Sequence, residues 1–268
     1  MATENNNQKG YALITGATSG IGYELAKVFA QNGYNLIIVA RSSDELQSKS
    51  EEISSQNNVE VIPIAKDLFD ANAAFELYEE VKAKGIAVNV LVNNAGQGVY
   101  GPFIETDLQQ QLQIIQLNVV SLTALTYLFL KDMVARNEGK ILQLGSVVSE
   151  LPATLQSVYG GTKAYILSFT EALISEVKDT DITLTVLQPG VTDTDFFNKA
   201  GAQNSKLAED KSKMSDPADV AKDAYEALMK GDDKVVSGFK NKVQVAMGNV
   251  MPDTMLAEQM KKQSEESK

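Results

Sequence analysis

Tyr159 and Lys163 are four residues apart in the segment Tyr-Gly-Gly-Thr-Lys. In a helix, positions i and i+4 lie on the same face, so the ammonium of Lys163 would lie beside the phenol of Tyr159. A neighbouring positive charge favours the phenolate of a group whose free pKa is about 10. The pair could therefore donate and accept a proton. The pattern alone is weak, because most such pairs only pack a ring beside a solvated amine.

The composition narrows the chemistry that remains. The 268 residues include no cysteine and no histidine. Disulfides, thiolate chemistry and a Ser-His-Asp triad are excluded, and a zinc site would need carboxylates alone, so we expect no metal. A general acid must then be Tyr, Lys, Asp or Glu, which strengthens the case for Tyr159.

Charge and hydropathy restrict the partners. The formal net charge of -11, from 24 basic and 35 acidic residues, argues against nonspecific binding of nucleic acid or anionic lipid. No run approaches the roughly 18 apolar residues of a membrane span, so we expect no transmembrane segment. Residues 1–9 are polar and lack the apolar region of a signal peptide. We expect a disordered tail there and a cytoplasmic protein.

A second motif stands near the N-terminus. Gly16, Gly20 and Gly22 follow an apolar run over 11–14 and precede an amphipathic stretch over 23–31. A strand, a glycine turn and a helix N-terminus together offer free N–H groups and a partial positive charge to a pyrophosphate. The spacing Gly-x-x-x-Gly-x-Gly differs from the common dinucleotide fingerprint Gly-x-Gly-x-x-Gly.

The remaining chain alternates between two patterns. Apolar, β-branched runs predict strands over 35–40, 59–64, 88–92, 140–144, 182–187 and 234–237, and amphipathic segments predict helices over 44–55, 72–84, 107–136, 158–178 and 217–230. The alternation predicts an α/β fold with a Rossmann-like doubly wound parallel sheet, as a single three-layer α/β/α domain. Ligands bind beyond the carboxyl ends of such strands. Small and polar residues follow the strands there, including Arg41-Ser42, Asp67-Leu68, Asn93 to Gly96, Gly145-Ser146 and Pro189-Gly190.

These motifs together resemble the short-chain dehydrogenase/reductase family over about residues 10–239. The glycine turn from Thr15 to Gly22, Asp67, Asn93-Asn94-Ala95-Gly96, Asn118, Ser146, the Tyr159/Lys163 pair and Pro189-Gly190 occur in the family's order. Ser146 lies thirteen residues before Tyr159, which is the family's usual spacing. Gly160 and Gly161 depart from the serine and alanine commoner there, and each costs a helix about 1 kcal/mol relative to alanine.

The resemblance implies catalytic roles for Asn118, Ser146, Tyr159 and Lys163. Tyr159 would exchange a proton with the substrate oxygen while a nicotinamide exchanges hydride with the carbon. Lys163 would stabilise the phenolate and bind the nicotinamide ribose, Ser146 would hold the substrate oxygen, and Asn118 would position a water linking Lys163 to solvent. The implied cofactor-binding residues are Gly16, Thr18, Ser19, Gly20, Ile21, Gly22, Arg41, Ser42, Asp67, Leu68, Asn94, Ala95, Gly96, Tyr159, Lys163, Pro189, Gly190, Val191 and Thr192.

The end of the second strand predicts the cofactor. A carboxylate there usually binds the ribose 2′-hydroxyl of NAD, whereas an arginine accommodates the 2′-phosphate of NADP. The chain has Ala40 followed by Arg41. We therefore expect NADP(H) to be preferred over NAD(H).

Substrate loops are expected over 97–104, 147–156 and 191–215, with an apolar lining from Val99, Tyr100, Phe103, Leu151, Leu155, Phe196 and Phe197. The expected substrate is thus a largely apolar ketone or aldehyde, or the matching alcohol. Residues 240–268 predict a helical extension that covers the substrate cleft, contacts a partner or lipid, or packs on its own domain. The family resemblance implies a homodimer or homotetramer through the helices over 107–136 and 158–178.

Two other functions remain open at this point. The chain could be a non-catalytic NADP(H)-binding redox sensor, although all four catalytic positions are filled. It could also be an epimerase or dehydratase that uses the same Tyr/Lys pair with a tightly held cofactor.

Overall fold

One seven-stranded parallel sheet forms the centre of the protein. The computed structural model describes residues 9–206, 214–248 and 253–264. The sheet order is β3-β2-β1-β4-β5-β6-β7, with β1 (Tyr11–Thr15), β2 (Asn35–Ala40), β3 (Val61–Ala65), β4 (Val88–Asn93), β5 (Gly139–Leu144), β6 (Ile182–Gln188) and β7 (Lys234–Val236). The order reverses between β1 and β4, which places the ligand crevice of a doubly wound sheet there. The predicted fold class is confirmed.

Helices cover both faces of the sheet. They are α1 (Gly20–Gln31), α2 (Ser43–Asn57), α3 (Ala73–Ala83), α4 (Leu108–Ile115), α5 (Leu122–Arg136), α6 (Ser157–Glu176), α7 (Phe196–Lys199), α8 (Pro217–Lys230), α9 (Phe239–Gly248) and α10 (Asp253–Ser264). α1, α2 and α8 pack on one face, and α3, α5 and α6 pack on the other. Short 3₁₀ turns lie at Phe103–Glu105 and Val147–Ser149.

The strands are apolar on both sides because both faces are covered. In β1, Ala12 and Ile14 belong to the core of one face and Leu13 to the core of the other, and all three are fully buried. Complete burial of a Leu or Ile side chain contributes about 1.5–3 kcal/mol. A strand of this kind is rigid, and it holds the residues at its carboxyl end in fixed positions.

Two elements differ from the sequence prediction. The third strand begins at Val61 rather than at residue 59, because Asn58 ends α2 in the left-handed region (φ 52°) and the chain then has to return to the sheet. The helix predicted over 107–136 contains a π-helical turn, Gln116–Ser121, between α4 and α5. A π turn widens the helix by one residue, and such turns are frequent at functional sites. Asn118 lies within it.

The segment Leu108–Arg136 bears on the expectation that the chain has no transmembrane segment. It is long and apolar enough to cross a membrane by length and composition, with a mean hydropathy of 1.5, and 44% of its most apolar window is buried in the fold. Leu125, Phe129 and Met133 of this segment pack on the sheet. Gln, Asn and Thr interrupt the apolar residues of this segment, so the sequence alone indicates no continuous apolar run of that length.

The C-terminal extension packs on its own domain. α9 approaches the loop after β5 so closely that a Cβ at Gly248 would lie 2.2 Å from Cδ2 of Leu151. The hydroxyl of Thr154 donates to the carbonyl of Ala257 in α10 (3.1 Å). The extension therefore borders the predicted substrate loop. Residues 1–8 of the predicted tail, 207–213 of the substrate loop, and 249–252 and 265–268 of the extension lie outside the described residues.

Candidate active site

The glycine turn leaves the N-terminus of α1 open to an anion. Gly16 and Gly20 have positive φ angles of 67° and 56°. Ser19 is the N-cap of α1 but its side chain makes no capping hydrogen bond, and the first turn of the helix carries no acidic residue. The N–H groups of this turn thus keep their partial positive charge for a ligand. This arrangement fits the pyrophosphate of a dinucleotide.

Thr15 and Asn94 hold the glycine turn in place. The side-chain nitrogen of Asn94 donates to the carbonyls of Thr15 (2.8 Å) and Gly16 (3.2 Å). The hydroxyl oxygen of Thr15 accepts from the backbone N–H groups of Asn94 (3.0 Å) and Ala95 (2.9 Å). A Cβ at Gly22 would come within 2.2 Å of Nδ2 of Asn94. The structure thus brings the predicted residues of β1 and β4 together, and the amide of Asn94 is used to shape the turn.

Arg41 lies at the end of β2, as predicted. Its guanidinium lies 5.5 Å from the centre of the Phe69 ring, and it forms no ion pair with the carboxylates of the described residues. Leu68 is buried nearby, whereas Asp67 is exposed. The hydroxyl of Ser42 accepts from the backbone N–H of Glu45 (3.4 Å) and so caps α2. Phe69 was missed by sequence reasoning, since only the fold places it under Arg41.

Lys163 is buried at the centre of the site. It is 3% exposed, and its Nζ donates to the backbone carbonyl of Leu144 (2.6 Å) at the end of β5. A Cβ at Gly96 would lie 3.4 Å both from this Nζ and from Oδ1 of Asn118, so glycine keeps the space between the two side chains open. Burial lowers the pKa of Lys163 to about 7.

Asn118 is fixed from two directions. Its Oδ1 accepts from the backbone N–H of Gln97 (3.1 Å), and its Nδ2 donates to the carbonyl of Gln97 (2.9 Å) and to the hydroxyl of Thr162 (3.0 Å). The hydroxyl of Thr162 in turn donates to the carbonyl of Tyr159 (2.7 Å). The π turn and α6 are thereby connected beside Lys163. Thr162 was not singled out from the sequence, although it lies between Tyr159 and Lys163.

Ser146 lies against Tyr159. Its Oγ accepts from the backbone N–H of Val148 (3.3 Å), and its own backbone N–H donates to the hydroxyl of Ser149 (3.1 Å). The proton of the Ser146 hydroxyl therefore remains free to point at Tyr159 or at a substrate oxygen. Burial raises the pKa of Tyr159 to about 12, although a hydrogen bond with Ser146 opposes this change.

The expected lowering of the Tyr159 pKa by Lys163 is not found in this geometry. Nζ of Lys163 does lie 5.6 Å from the centre of the Tyr159 ring, as the helical spacing predicts. Burial, however, disfavours the charged forms of both groups, and an ammonium with a pKa of about 7 carries only part of its charge at neutral pH. Desolvation therefore outweighs the charge effect that spacing alone suggests.

The segment after β6 reaches the same edge of the sheet. The carbonyl of Pro189 accepts from the backbone N–H of Val147 (3.0 Å), next to Ser146. The hydroxyl of Thr192 donates to the carbonyl of Gly190 (3.0 Å), and Thr192 pairs with Ser215 in a parallel bridge. The pairing of Thr192 with Ser215 thus holds the two ends of the predicted substrate loop over 191–215 together.

Aromatic and apolar groups face Tyr159 on its open side. The ring centres of Tyr159 and Phe196 are 5.1 Å apart. Val99 and Tyr100 line a cleft of about 420 Å³, and none of the four predicted catalytic side chains lines it. Leu151 is buried under α9 and Phe103 is half exposed. Phe196 is the predicted lining residue that contacts Tyr159 directly.

Sequence comparison assigns this arrangement to a family. The family model described as short chain dehydrogenase matches residues 10–205. The chain belongs to the short-chain dehydrogenase/reductase family. Members of this oxidoreductase family include a probable NADP-dependent dehydrogenase of Haemophilus influenzae, 36% identical over 189 residues, which cover 70% of this chain and 73% of that protein.

Another relative is the very-long-chain 3-oxoacyl-CoA reductase of Rattus norvegicus. It is 35% identical over 185 residues, or 67% of this chain, and the match spans only 58% of the length of that reductase.

Solved structures of short-chain dehydrogenases share the fold. A short-chain dehydrogenase from Sphingobium yanoikuyae in complex with NADPH has a TM-score of 0.77 and 25% identity, over 90% of this chain and 95% of that one. An alcohol dehydrogenase from Thermococcus sibiricus complexed with 5-hydroxy-NADP has a TM-score of 0.75 and 26% identity, over 85% and 95%. A short-chain dehydrogenase/reductase from Burkholderia phymatum, in complex with NAD, has the same fold, with 21% identity and a TM-score of 0.80.

Proposed function

We propose that the protein is an NADP(H)-dependent oxidoreductase that reduces a ketone or aldehyde to an alcohol, and catalyses the reverse reaction, with Tyr159 as general acid and base. One observation carries the proposal: Ser146 and Lys163 are buried beside the partly buried Tyr159, and no described carboxylate bonds to the phenol or the ammonium. A neutral phenol held there can give its proton to a developing alkoxide.

In the proposed reaction, different residues of the site bind the cofactor, hold the substrate oxygen and transfer the proton. The open N-terminus of α1 binds the pyrophosphate, and Lys163 and Tyr159 bind the ribose next to the nicotinamide. When bound, the nicotinamide supplies or accepts the hydride, which carries two electrons. Ser146 donates a hydrogen bond to the substrate oxygen, and Tyr159 gives that oxygen the proton that completes the alcohol. In the reverse direction Tyr159 accepts this proton.

The proton lost by Tyr159 must be replaced. Lys163, with a pKa near neutrality, can pass a proton on without carrying a permanent buried charge. Asn118 keeps the π turn attached to Gln97 and Thr162, next to Lys163. We propose that this turn positions the water that connects Lys163 to solvent.

We propose a preference for NADP(H) because of Arg41. The guanidinium lies over Phe69 at the end of β2 and is not neutralised by a described ion pair. Ala40, which precedes it, places no negative charge there. An arginine so placed can bind a 2′-phosphate with charge-assisted hydrogen bonds.

We also propose a homodimer or homotetramer formed through α4, α5 and α6. Leu112, Tyr127 and Val134 on the first two of these helices, and Tyr165 on α6, are between 37% and 65% exposed. Large apolar side chains exposed on adjoining helices are typical of an interface. Light scattering should give the mass of an oligomer for the parent, and a smaller mass for Tyr127→Glu.

The test of the function follows NADPH absorbance, with NADH in parallel, against aldehydes, cyclic diketones, 3-oxo esters and thioesters, and ketosteroids. Turnover by the parent and its loss in Tyr159→Phe would support the reductase. NADPH that raises the melting temperature of both proteins by linkage, without consumption of cofactor, would support the redox sensor. Retained cofactor with an isomerised or dehydrated product would support the epimerase or dehydratase.

A further inference from the structure

The side-chain nitrogen of Gln156 is buried without a partner. Its Nε2 is shielded from solvent and forms no hydrogen bond in the described part of the chain. The backbone of Gln156 is fixed, because its N–H donates to the carbonyl of Ala153 (3.0 Å) and its carbonyl accepts from the N–H of Gly160 (2.8 Å). A buried donor without an acceptor costs about 1–3 kcal/mol, so such groups call for an explanation.

The position of this nitrogen suggests the explanation. A Cβ at Gly98 would lie 3.4 Å from Nε2 of Gln156, 3.3 Å from Cδ2 of Tyr159 and 3.0 Å from Cζ of Phe196. These three side chains thus converge on one small space, which glycine leaves open. Cδ2 belongs to the ring that carries the hydroxyl of Tyr159, so the amide of Gln156 lies beside the group to which we assign proton transfer.

Nε2 has no acceptor among the described residues, and the other atoms nearest to a Cβ at Gly98 are not acceptors. The neighbouring atoms of Tyr159 and Phe196 are ring carbons, and Gly98 adds no side chain. An acceptor brought by the substrate would satisfy the donor and would fix the orientation of the reacting carbonyl. A substrate with a single carbonyl would leave Nε2 unpaired, because its only oxygen is held by Ser146 and Tyr159.

We propose that Gln156 selects substrates that carry a second oxygen acceptor next to the reacting carbonyl, that is, 3-oxo esters, 3-oxo thioesters and related 1,3-dicarbonyl compounds. The inference rests on the proposed reductase function and narrows its substrate class. Nε2 of Gln156 donates to the second carbonyl, while Ser146 and Tyr159 hold the first one. The balance of the reaction is unchanged: one carbonyl gains a hydride and a proton, and the second carbonyl only accepts a hydrogen bond.

The experiment uses two ketones of equal chain length. Ethyl 3-oxohexanoate has the second carbonyl, and 4-nonanone replaces its ester group by methylenes. Because their intrinsic reactivities differ, the informative quantity is the ratio of parent to Gln156→Met kcat/KM for each ketone. We expect a loss of roughly 5-fold to 150-fold for the oxo ester, which corresponds to a lost hydrogen bond to a buried donor, and a loss below about threefold for 4-nonanone.

Two further measurements separate this role from a structural one. Gln156→Met should keep the melting temperature of the parent or raise it, because the substitution removes an unpaired buried donor. The affinity for NADPH should stay within about twofold. A second variant, Gln156→Glu, keeps the shape but places a carboxylate beside the second carbonyl, and should reduce the oxo ester more slowly than Gln156→Met does.

Specific outcomes would overturn the inference. Equal losses for the two ketones, or no loss for either, would show that Gln156 does not select the second acceptor. A matching loss of NADPH affinity would assign the donor to the cofactor. Reduction of 4-nonanone alone by the parent would reject the substrate class but leave the reductase function intact. Failure of the parent to reduce any carbonyl compound, despite NADPH binding, would reject the proposed function and this inference with it.

Discussion

The chain contains the pattern Tyr-x-x-x-Lys on α3 as well as on α6, and the two pairs are alike in geometry. Nζ of Lys82 lies 5.8 Å from the centre of the Tyr78 ring, and Nζ of Lys163 lies 5.6 Å from that of Tyr159. Their surroundings differ. Lys82 is 48% exposed and pairs with Asp132 (3.1 Å), whereas Lys163 is 3% exposed and bonds only to a backbone carbonyl among the described groups.

Opposite pKa shifts follow from this difference. The hydrogen bond and charge of Asp132 raise the pKa of Lys82, while burial lowers the pKa of Lys163 to about 7. A third pair, Tyr23 and Lys27 on α1, resembles the exposed one, since Glu24 raises the pKa of Lys27. Helical spacing thus brings a phenol and an amine together in all three places, and burial away from carboxylates distinguishes the pair to which we assign proton transfer.

The largest expected effect is a loss of turnover when the tyrosine of the buried pair, but not that of the exposed pair, is replaced. Tyr159→Phe should lower kcat by about 10²–10⁴-fold, because positioned general acid catalysis contributes this much. Tyr78→Phe, the matched change in the exposed pair, should keep kcat within about twofold. Steady-state rates with NADPH and an accepted ketone measure both. Similar losses in the two variants would show that the phenols act only through folding.

The pH dependence of stability should also distinguish the two lysines. Lys163 has a lowered pKa of about 7 in the folded state, so between pH 7 and about 10.5 the unfolded chain binds more protons than the folded one. The free energy of unfolding of the parent, relative to Lys163→Met, should therefore rise with pH in this window by at most about 1.4 kcal/mol per unit.

Lys82→Met provides the control for that experiment. The pKa of Lys82 is raised, so its contribution to stability is present below its unfolded pKa and is lost only as the pH rises through the higher folded value. Urea unfolding at several values from pH 7 to 10 should give a constant difference between parent and Lys82→Met. A constant difference for Lys163→Met as well would mean that Lys163 is not desolvated.

Arg41 is a cation outside the Tyr159/Lys163 pair, and it can be compared with Lys163. Like Lys163, it forms no ion pair with the described carboxylates. Arg41→Ala should weaken NADPH binding roughly 10-fold to 100-fold, the range for a hydrogen bond to a charged group, and should change NADH binding less than about threefold. Titration calorimetry with both cofactors measures this. Equal changes for NADPH and NADH would remove the basis for the proposed preference.

The smallest expected effect concerns Thr162, which links Asn118 to α6. Thr162→Val keeps the shape but removes the acceptor of the Asn118 amide, at a cost of about 1–3 kcal/mol in stability. Thr162→Ser restores the hydroxyl and should recover both stability and kcat. Thermal unfolding and kcat of the two variants test the link, and equal behaviour of Val and Ser at this position would argue against it.

The sequence predicted the framework because each strand is buried on both faces. A continuous apolar run such as Leu36 to Val39 can avoid water only as a strand covered on both faces. Runs of this kind predict the fold class and the bounds of most elements. The π turn at Asn118 could not be predicted, since hydrophobic periodicity is nearly the same with and without one extra residue in a turn.

The finer parts of the site escaped prediction for a related reason. Phe69 matters because the fold places its ring under Arg41, and Gln156 matters because its side-chain nitrogen is buried beside Tyr159 without a partner. Neither feature produces a recognisable pattern in the sequence. The pKa shifts of Tyr159 and Lys163 could not be predicted from the sequence either, because they depend on how deeply the fold buries each group. From its spacing alone, Lys163 is expected to carry a full positive charge. In the fold, burial lowers its pKa to about 7.

The most direct test of the account follows the hydrogen itself. NADPH carrying deuterium at both C4 positions of the nicotinamide would be mixed with an accepted ketone, and the alcohol analysed by mass spectrometry and NMR. The account predicts one deuterium on the carbinol carbon of each product molecule with the parent and with Tyr78→Phe, and almost no product with Tyr159→Phe. Product without deuterium at that carbon, or equal yields from the two tyrosine variants, would contradict it.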